Sequence, residues 1–134
     1  MVKIRASVSV SGENFSPSAF SKISAVKLID TNEVGDISRR GRNKGQPERY
    51  GCATIEISDK AEENWSRFDD LLSVTENCID ALRKAGADEI NLDVSLYHDG
   101  PCNFSFSCEQ IRRIAALKVD LPISCYDERA ETIS

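Results

Sequence analysis

The sequence is poor in the residues and patterns on which recognisable catalytic and metal sites are built. It holds one histidine in 134 residues, and its five cysteines form no CxxC pair. A structural zinc site needs four cysteine or histidine ligands at regular spacings, so we expect no bound metal. The GxxxxGKS/T spacing of a phosphate-binding loop is also missing, which leaves nucleotide hydrolysis without support. We predict no catalytic residue and no cofactor.

Long apolar runs are missing as well. No stretch approaches the roughly 18–20 apolar residues with which a helix crosses a bilayer. The first residues, MVKIRASVSVSG, alternate between apolar and polar, which is typical of a strand and not of a signal peptide. We therefore expect a cytoplasmic protein that avoids the membrane, with its cysteines kept as free thiols.

Length and composition are those of one globular domain. The chain is 40% hydrophobic and 29% charged, and 134 residues suffice for a single core. We predict one domain over residues 1–134, with the core over about 3–126 and a polar tail over 127–134. The net charge of −5 argues against a general nucleic-acid binder, which presents a basic surface.

The longest periodic segment, from Asp59 to Gly86, predicts an α-helix. Its apolar positions recur in steps of three and four and form one stripe, made of Ala61, Trp65, Phe68, Leu72, Thr75, Ile79 and Leu82. Asp59 is the expected N-cap, with Glu62 as its capping-box partner. Gly86 is suited to the left-handed position that ends a helix.

The other elements are shorter. Alternating residues predict strands at 3–10, 52–58, 89–97, 103–107 and 121–125, with a brief one over 26–29. Ser16-Pro17 begins a helix over about 17–24, with Phe20 and Ile23 as its buried anchors. Ser107 and Gln110 form a capping box for another helix, which buries Ile111, Ile114 and Leu117. The fold class is α+β: a largely antiparallel or mixed sheet of about five strands, with one long and two shorter helices on one face.

Residues 35–51, GDISRRGRNKGQPERYG, form an exposed basic loop that is the first candidate site. It concentrates five cations in an otherwise acidic chain: Arg39, Arg40, Arg42, Lys44 and Arg49. Guanidinium groups can bind phosphates or carboxylates, and a long loop inside a small domain is often functional. The alternative is a mobile loop whose charges only keep the protein in solution.

The acidic face of the long helix is the second candidate. It comprises Glu62, Glu63, Asp69, Asp70 and Glu76. These carboxylates are too far apart along the helix for a paired acid–base site or a calcium loop. They form either a docking surface for a basic partner or an ordinary solvated face.

The turn at Tyr97, His98 and Asp99 is the third candidate. A histidine beside an aspartate can transfer protons, and Cys102 lies four residues further on. No recognised motif links a nucleophile to this histidine, and an ordinary turn histidine is the simpler interpretation.

Several stretches together resemble a bacterial domain family of unknown function, numbered 4279. They are the opening strand leading into SGENFSP, the glycine-bearing loop before YGCATIEI, the long helix, and the run INLDVSLYHDGPCNFSFSCEQIRRIAALKVDLPISCY. The resemblance covers roughly residues 3–126. It implies a small stand-alone bacterial α+β domain and brings no catalytic residues with it.

Three functions remain open from the sequence, the third of which is a purely structural or self-associating module. The first is a non-enzymatic binding protein, most concretely an immunity-type protein that neutralises a toxin domain or another neighbouring-gene product by direct contact. The second is a domain, or an enzyme without a familiar motif, that holds an anionic small molecule with Arg39, Arg40 and Arg42. The sequence does not indicate the oligomeric state.

Overall fold

The sheet is organised around the first strand, β1 (Val2–Gly12). The computed structural model describes residues 2–57 and 65–131. β1 pairs antiparallel with β3 (Gly51–Glu56) on one side and β4 (Glu89–His98) on the other. β2 (Ile29–Asn32) pairs antiparallel with β3, and β5 (Ile123–Asp127) runs parallel to β4. The order β2-β3-β1-β4-β5 confirms the predicted α+β class with a mixed sheet of five strands.

Three helices and one helical turn complete the described chain: α1 (Pro17–Ile23), α2 (Trp65–Lys84), α3 (Cys108–Leu117) and the turn α4 (Glu128–Glu131). From β1 to β4 the elements follow the split β-α-β arrangement, in which β1 lies between β3 and β4. The α3–β5 unit extends it by a crossover to a parallel strand. Within the described residues, no helix is long and apolar enough to span a bilayer.

One face of the sheet is buried against the helices. Val8 lies opposite Ile55 on one neighbouring strand and Leu92 on the other, and all three are at most 1% exposed. The predicted stripe of α2 is confirmed where it is described, because Phe68, Leu72, Thr75, Ile79 and Leu82 are all buried. Ala61 and the side chain of Trp65 lie outside the described part. Fully burying one Leu or Phe side chain contributes about 1.5–3 kcal/mol, so this interface dominates the stability of the fold.

The capping residues that the sequence predicts at Ser16, Ser107 and Gly86 are confirmed. The amide of Ala19 donates to the Ser16 Oγ at 3.1 Å, and Ser107 and Gln110 form a complete capping box. At the end of α2, the amide of Gly86 donates to the carbonyl oxygen of Arg83, and the amide of Ala87 donates to the carbonyl oxygen of Leu82. This is the Schellman pattern, with Gly86 at a φ of 102°. The predicted cap at Asp59 and Glu62 lies outside the described residues.

The strand predicted at 103–107 is wrong. Residues 101–107 form no ladder, because β5 takes the place beside β4 after the chain has passed through α3. The alternation of Phe104 and Phe106 has a different cause. The Phe106 ring packs against the Phe68 ring of α2 at a centroid distance of 5.2 Å, which fastens this connection to the core.

Two predicted anchors of the short helices are also wrong. Ile23 at the end of α1 is 55% exposed, while Phe20 is fully buried. On α3, Ile111 is 56% exposed, whereas Ile114 and Leu117 are buried as expected. Each short helix therefore buries a narrower stripe than its apolar residues indicate.

Candidate binding surface

Residues 33–50, which connect β2 to β3, form an ordered two-limbed segment that we call the basic ribbon. Main-chain hydrogen bonds of 2.7–2.9 Å join its limbs: Glu48 to Asp36, Gly35 to Glu48, Ser38 to Gln46 and Gly45 to Ser38. Ile37 and Pro47 face each other in an isolated antiparallel bridge. The segment that the sequence predicts as an exposed loop is therefore a two-limbed ribbon. The hydrogen bonds between its limbs hold its tip in a defined place.

Glycines allow the ribbon to turn. Gly35 and Gly45 have φ values of 91° and 86°, in the left-handed region that side-chain-bearing residues rarely adopt. Each is the third residue of a four-residue turn. One turn is closed by the Asp36 amide donating to the Glu33 carbonyl oxygen, and the other by the Gln46 amide donating to the Asn43 carbonyl oxygen. The glycines thus allow specific turns, and they do not make the whole segment flexible.

The base of the ribbon is fastened to α1. The Glu33 carboxylate accepts hydrogen bonds from the Ser16 Oγ at 2.7 Å and the Ser18 amide at 3.0 Å. A carboxylate at this end of a helix also meets the positive end of the helix dipole. Next to Glu33, the Asn32 side-chain amide donates to the carbonyl oxygen of Tyr50 on the opposite limb at 2.7 Å. Sequence reasoning missed Glu33, because nothing local links it to a serine seventeen residues earlier.

The cations of the ribbon are exposed, and they form no ion pair within the described part of the chain. Arg39, Arg40, Arg42 and Lys44 lie at its tip, and Arg49 lies where it meets β3. None of the five forms an ion pair with any residue in 2–57 or 65–131. Their charge is consequently not neutralised within the described fold and remains available to an anionic group from outside.

Apolar side chains accompany these cations. Val34, Ile37 and Tyr50 are 47%, 59% and 46% exposed, and they account for three of the eight large hydrophobic residues recorded as exposed in the described chain. Arginine and tyrosine are enriched at the buried centres of protein–protein interfaces, where apolar contacts exclude water around them. The ribbon therefore has the composition of a protein-binding surface.

The acidic face of α2 is partly used inside the fold. The Glu76 carboxylate accepts hydrogen bonds from the Arg113 Nε at 3.0 Å and from an Arg113 terminal nitrogen at 2.6 Å. That hydrogen-bonded guanidinium lowers the pKa of Glu76. Asp69 accepts a bond of 2.8 Å from the Gln110 side chain. Asp70 remains exposed, and Glu62 and Glu63 lie outside the described residues.

The turn after β4 is engaged in local contacts. The His98 Nδ1 lies 3.0 Å from the Gly100 carbonyl oxygen, which closes the turn on itself. Tyr97 stacks on Tyr126 of β5 at a centroid distance of 5.2 Å. Hydrogen bonds from Arg129 lower the pKa of Asp127, and the nearby His98 lowers it further. These contacts account for the turn as a structural element that ties β5 to β4.

Metal ligands are not assembled anywhere in the described chain: residues 2–57 and 65–131 contain no group of three or more His, Cys, Asp or Glu side chains that could hold an ion. The chain matches no protein-family model, no curated protein and no solved structure. The resemblance to the bacterial family numbered 4279 therefore stays a prediction.

Proposed function

We propose that this chain is a cytoplasmic binding protein that docks its basic ribbon on an acidic surface of a protein partner. The observation that carries the proposal is a set of exposed cations on an ordered ribbon, unpaired among residues 2–57 and 65–131, beside exposed Ile37 and Tyr50. Its most concrete form is an immunity-type protein whose ribbon covers the acidic functional site of a toxin domain.

Order in the ribbon supports this function energetically. A segment that is already held by its own ladder loses less conformational entropy on binding than a mobile loop does. The clustered positive charge would accelerate encounter with an acidic partner, and this effect would weaken with added salt. The exposed Ile37 and Tyr50 would then supply contacts that salt does not screen.

The ribbon is a better docking surface than the acidic face of α2. Glu76 and Asp69 already bond to Arg113 and Gln110 of α3. A basic partner would have to displace these contacts before it could use either carboxylate. Arg39, Arg40 and Arg42 form no such contact with any residue that the structure describes.

Affinity capture with matched baits tests the proposal. Wild-type protein, an Arg39→Ala/Arg40→Ala/Arg42→Ala variant and a Lys22→Ala/Lys27→Ala/Lys84→Ala variant would be exposed to lysate of the organism that encodes the chain. The two variants lose the same charge from different places. We expect one protein in stoichiometric amount on the wild type and the lysine variant, and its loss from the arginine variant. Equal retention on all three baits would refute docking through the ribbon.

The immunity-type form has its own test. Expression of the captured partner alone would arrest growth, and co-expression of the wild-type chain would restore it. The arginine variant would fail to restore growth while remaining folded by circular dichroism. A captured partner that is harmless when expressed would leave the binding function standing and remove the immunity role.

An anionic small molecule is the second candidate, because Arg39, Arg40 and Arg42 also offer three free guanidinium groups to phosphates or carboxylates. A thermal-shift screen with nucleotides and phosphorylated metabolites distinguishes it from the first. A saturable shift that the arginine variant abolishes would favour the small molecule. A shift that persists in that variant would exclude the ribbon as its site.

A further inference from the structure

The outer edge of β5 presents main-chain hydrogen-bonding groups that the described fold does not use. In β4, the amide of Val94 donates to the carbonyl oxygen of Pro122 at 2.9 Å. The main-chain groups of successive residues alternate in direction along a strand, so the even-numbered residues of β5 direct theirs to β4. Those of Ile123 and Cys125 point away from the sheet, and within the described part of the chain no further strand pairs with them.

The two edges of the sheet differ in how well they are protected. In β2, Asp30 adopts a left-handed conformation with a φ of 49°, and the register with β3 shifts between Ile29 and Asn32. Such irregularities prevent an edge strand from pairing with a further strand. β5 keeps a regular register with β4 along its whole length and contains no proline, lysine or arginine. The β5 edge can therefore accept another strand.

The helical turn that follows β5 leaves this edge open. α4 folds back over the sheet, and the Glu128 carboxylate lies 3.8 Å from the Nζ of Lys3 in β1. Since β4 lies between β1 and β5, this contact places Glu128 on the inner side of β5. α4 consequently does not cover the outward-pointing groups of the strand.

Exposed apolar side chains border the same edge. Ile123 and Tyr126 are exposed and point to opposite faces of β5. On α3, exposed Ile111 lies about 100° around the helix from Gln110 and farther from Arg113. Gln110 and Arg113 bond to α2, so Ile111 points away from α2. Because α2 packs on β1, that side of α3 faces the β5 edge.

We propose that two copies of this chain pair through their β5 edges and form a two-fold symmetric dimer with one continuous sheet. The two strands run antiparallel, and the axis passes between the two Cys125 residues, whose amide and carbonyl groups bond to each other. Ile123 of each copy then lies opposite Asp127 of the other. On the helix side, the same axis turns the two Ile111 side chains towards each other.

The chemistry of β5 favours a second copy as the occupant. A two-fold axis makes the outward groups of Cys125 their own complement, so no other sequence is needed. Asp127 is the only charged residue of the strand, and in this register it faces Ile123 and not another carboxylate. Each copy uses its one regular edge, so the assembly is closed and does not grow into a fibre.

The dimer leaves the basic ribbon accessible, because the ribbon lies at the β2 end of the sheet. The two associations also differ in their dependence on salt. Each copy carries a net charge of −5, so added salt screens the repulsion between copies and strengthens the dimer. Binding of the ribbon to an acidic partner weakens with salt, so the two proposals stand or fail separately.

Sedimentation equilibrium of the purified full chain, with a reducing agent present, tests the proposal. We expect the mass to rise with concentration from 14.8 kDa towards twice that value. Cys125→Lys places two cations opposite each other at the axis and should weaken the dimer by about fivefold or more. The matched control, Cys108→Lys, makes the same change at an exposed cysteine of α3 and should dimerise as the wild type does.

Hydrogen exchange gives a second readout that needs no variant. The Cys125 amide points outward, so it should exchange quickly in dilute protein and slowly in concentrated protein. The Ser124 amide is directed to β4 and should be protected at both concentrations.

Four results would overturn the proposal. They are a chain that stays monomeric up to about 1 mM, a dimer that Cys125→Lys leaves intact, a Cys125 amide whose exchange ignores concentration, and a dimer that weakens with added salt. The last would mean that the basic ribbon of one copy binds an acidic surface of the other.

Discussion

Gly51 opens β3 directly beside the main chain of Phe15, and a Cβ at this position would overlap the Phe15 carbonyl oxygen. A Cβ on Gly100, in the turn after β4, would meet no atom within 4 Å. The two glycines look equivalent in the sequence, since each stands next to a strand end. Only the packing of the 12–16 segment over β3 makes one of them irreplaceable.

We predict that Gly51→Ala lowers the free energy of unfolding by about 3 kcal/mol or more, because a main-chain contact cannot yield as a flexible side chain can. Gly100→Ala should change it by less than about 0.5 kcal/mol. Urea denaturation followed by circular dichroism measures both. Equal effects of the two substitutions would contradict the placement of Phe15 over β3.

For individual residues, the sequence correctly predicted the features that depend only on neighbours along the chain. The caps at Ser16, Ser107 and Gly86 were all predicted correctly, because a cap is decided within a few residues. The Glu33 contact with Ser16 was not predicted, because it requires the folded topology.

Among the elements, α3 shows how far hydrophobic periodicity can be trusted. Its three isoleucine and leucine positions all suggest burial, but Ile111 faces outward while Ile114 and Leu117 face the core. The helix lies at the outer part of the layer and contacts α2 along one narrow line. A helix flanked on only one side needs a narrower apolar stripe than one in the centre.

We predict that Ile114→Ala costs about 2–4 kcal/mol of unfolding free energy, because it leaves a cavity in the hydrophobic core. Ile111→Ala should cost less than about 0.5 kcal/mol, apart from a small change in helix propensity. Chemical denaturation of the two variants is the measurement. A larger loss at position 111 would show that α3 is rotated relative to this structure.

The ion pair between Glu76 of α2 and Arg113 of α3 should make the stability of the fold depend on pH. The folded pKa of Glu76 lies below its ordinary value, so its pair with Arg113 contributes stability above the ordinary carboxyl pKa of about 4.3. That contribution is lost as the pH falls through the lower folded value. Because the Glu76 side chain is 37% exposed, we expect only about 0.5 kcal/mol near neutral pH.

Glu76→Gln should therefore be less stable than wild type near neutral pH, and the difference should shrink as the pH falls below the ordinary carboxyl range. The matched control is Asp70→Asn, which removes an exposed acidic group on α2 that forms no ion pair with residues 2–57 or 65–131 and should leave stability near neutral pH close to that of wild type. Urea midpoints across this range give the answer. A difference that persists at low pH would mean that packing, and not the ion pair, accounts for the effect.

The wrong prediction of a strand at 103–107 shows a second limit of hydrophobic periodicity. Its alternating phenylalanines satisfied the period of a strand, but the place beside β4 can be filled by only one segment. β5 fills it with a complete five-residue ladder, while Phe106 instead packs on Phe68. Competition between two segments for one sheet edge cannot be read from either segment alone.

For the whole molecule, the sequence indicated the correct class and the correct exposed basic segment, but not its order. The basic ribbon, which is the feature that we connect with function, extends from the β2–β3 end of the sheet. The central strands carry the core.

The most direct test of the account is the dissociation constant of the captured partner, measured by calorimetry at low and moderate salt. The account predicts that the Arg39→Ala/Arg40→Ala/Arg42→Ala variant binds roughly 100-fold more weakly than wild type and depends less on salt. The Lys22→Ala/Lys27→Ala/Lys84→Ala variant should bind as wild type does. Equal affinity of the arginine variant and the wild type would contradict the claim that the basic ribbon is the binding surface.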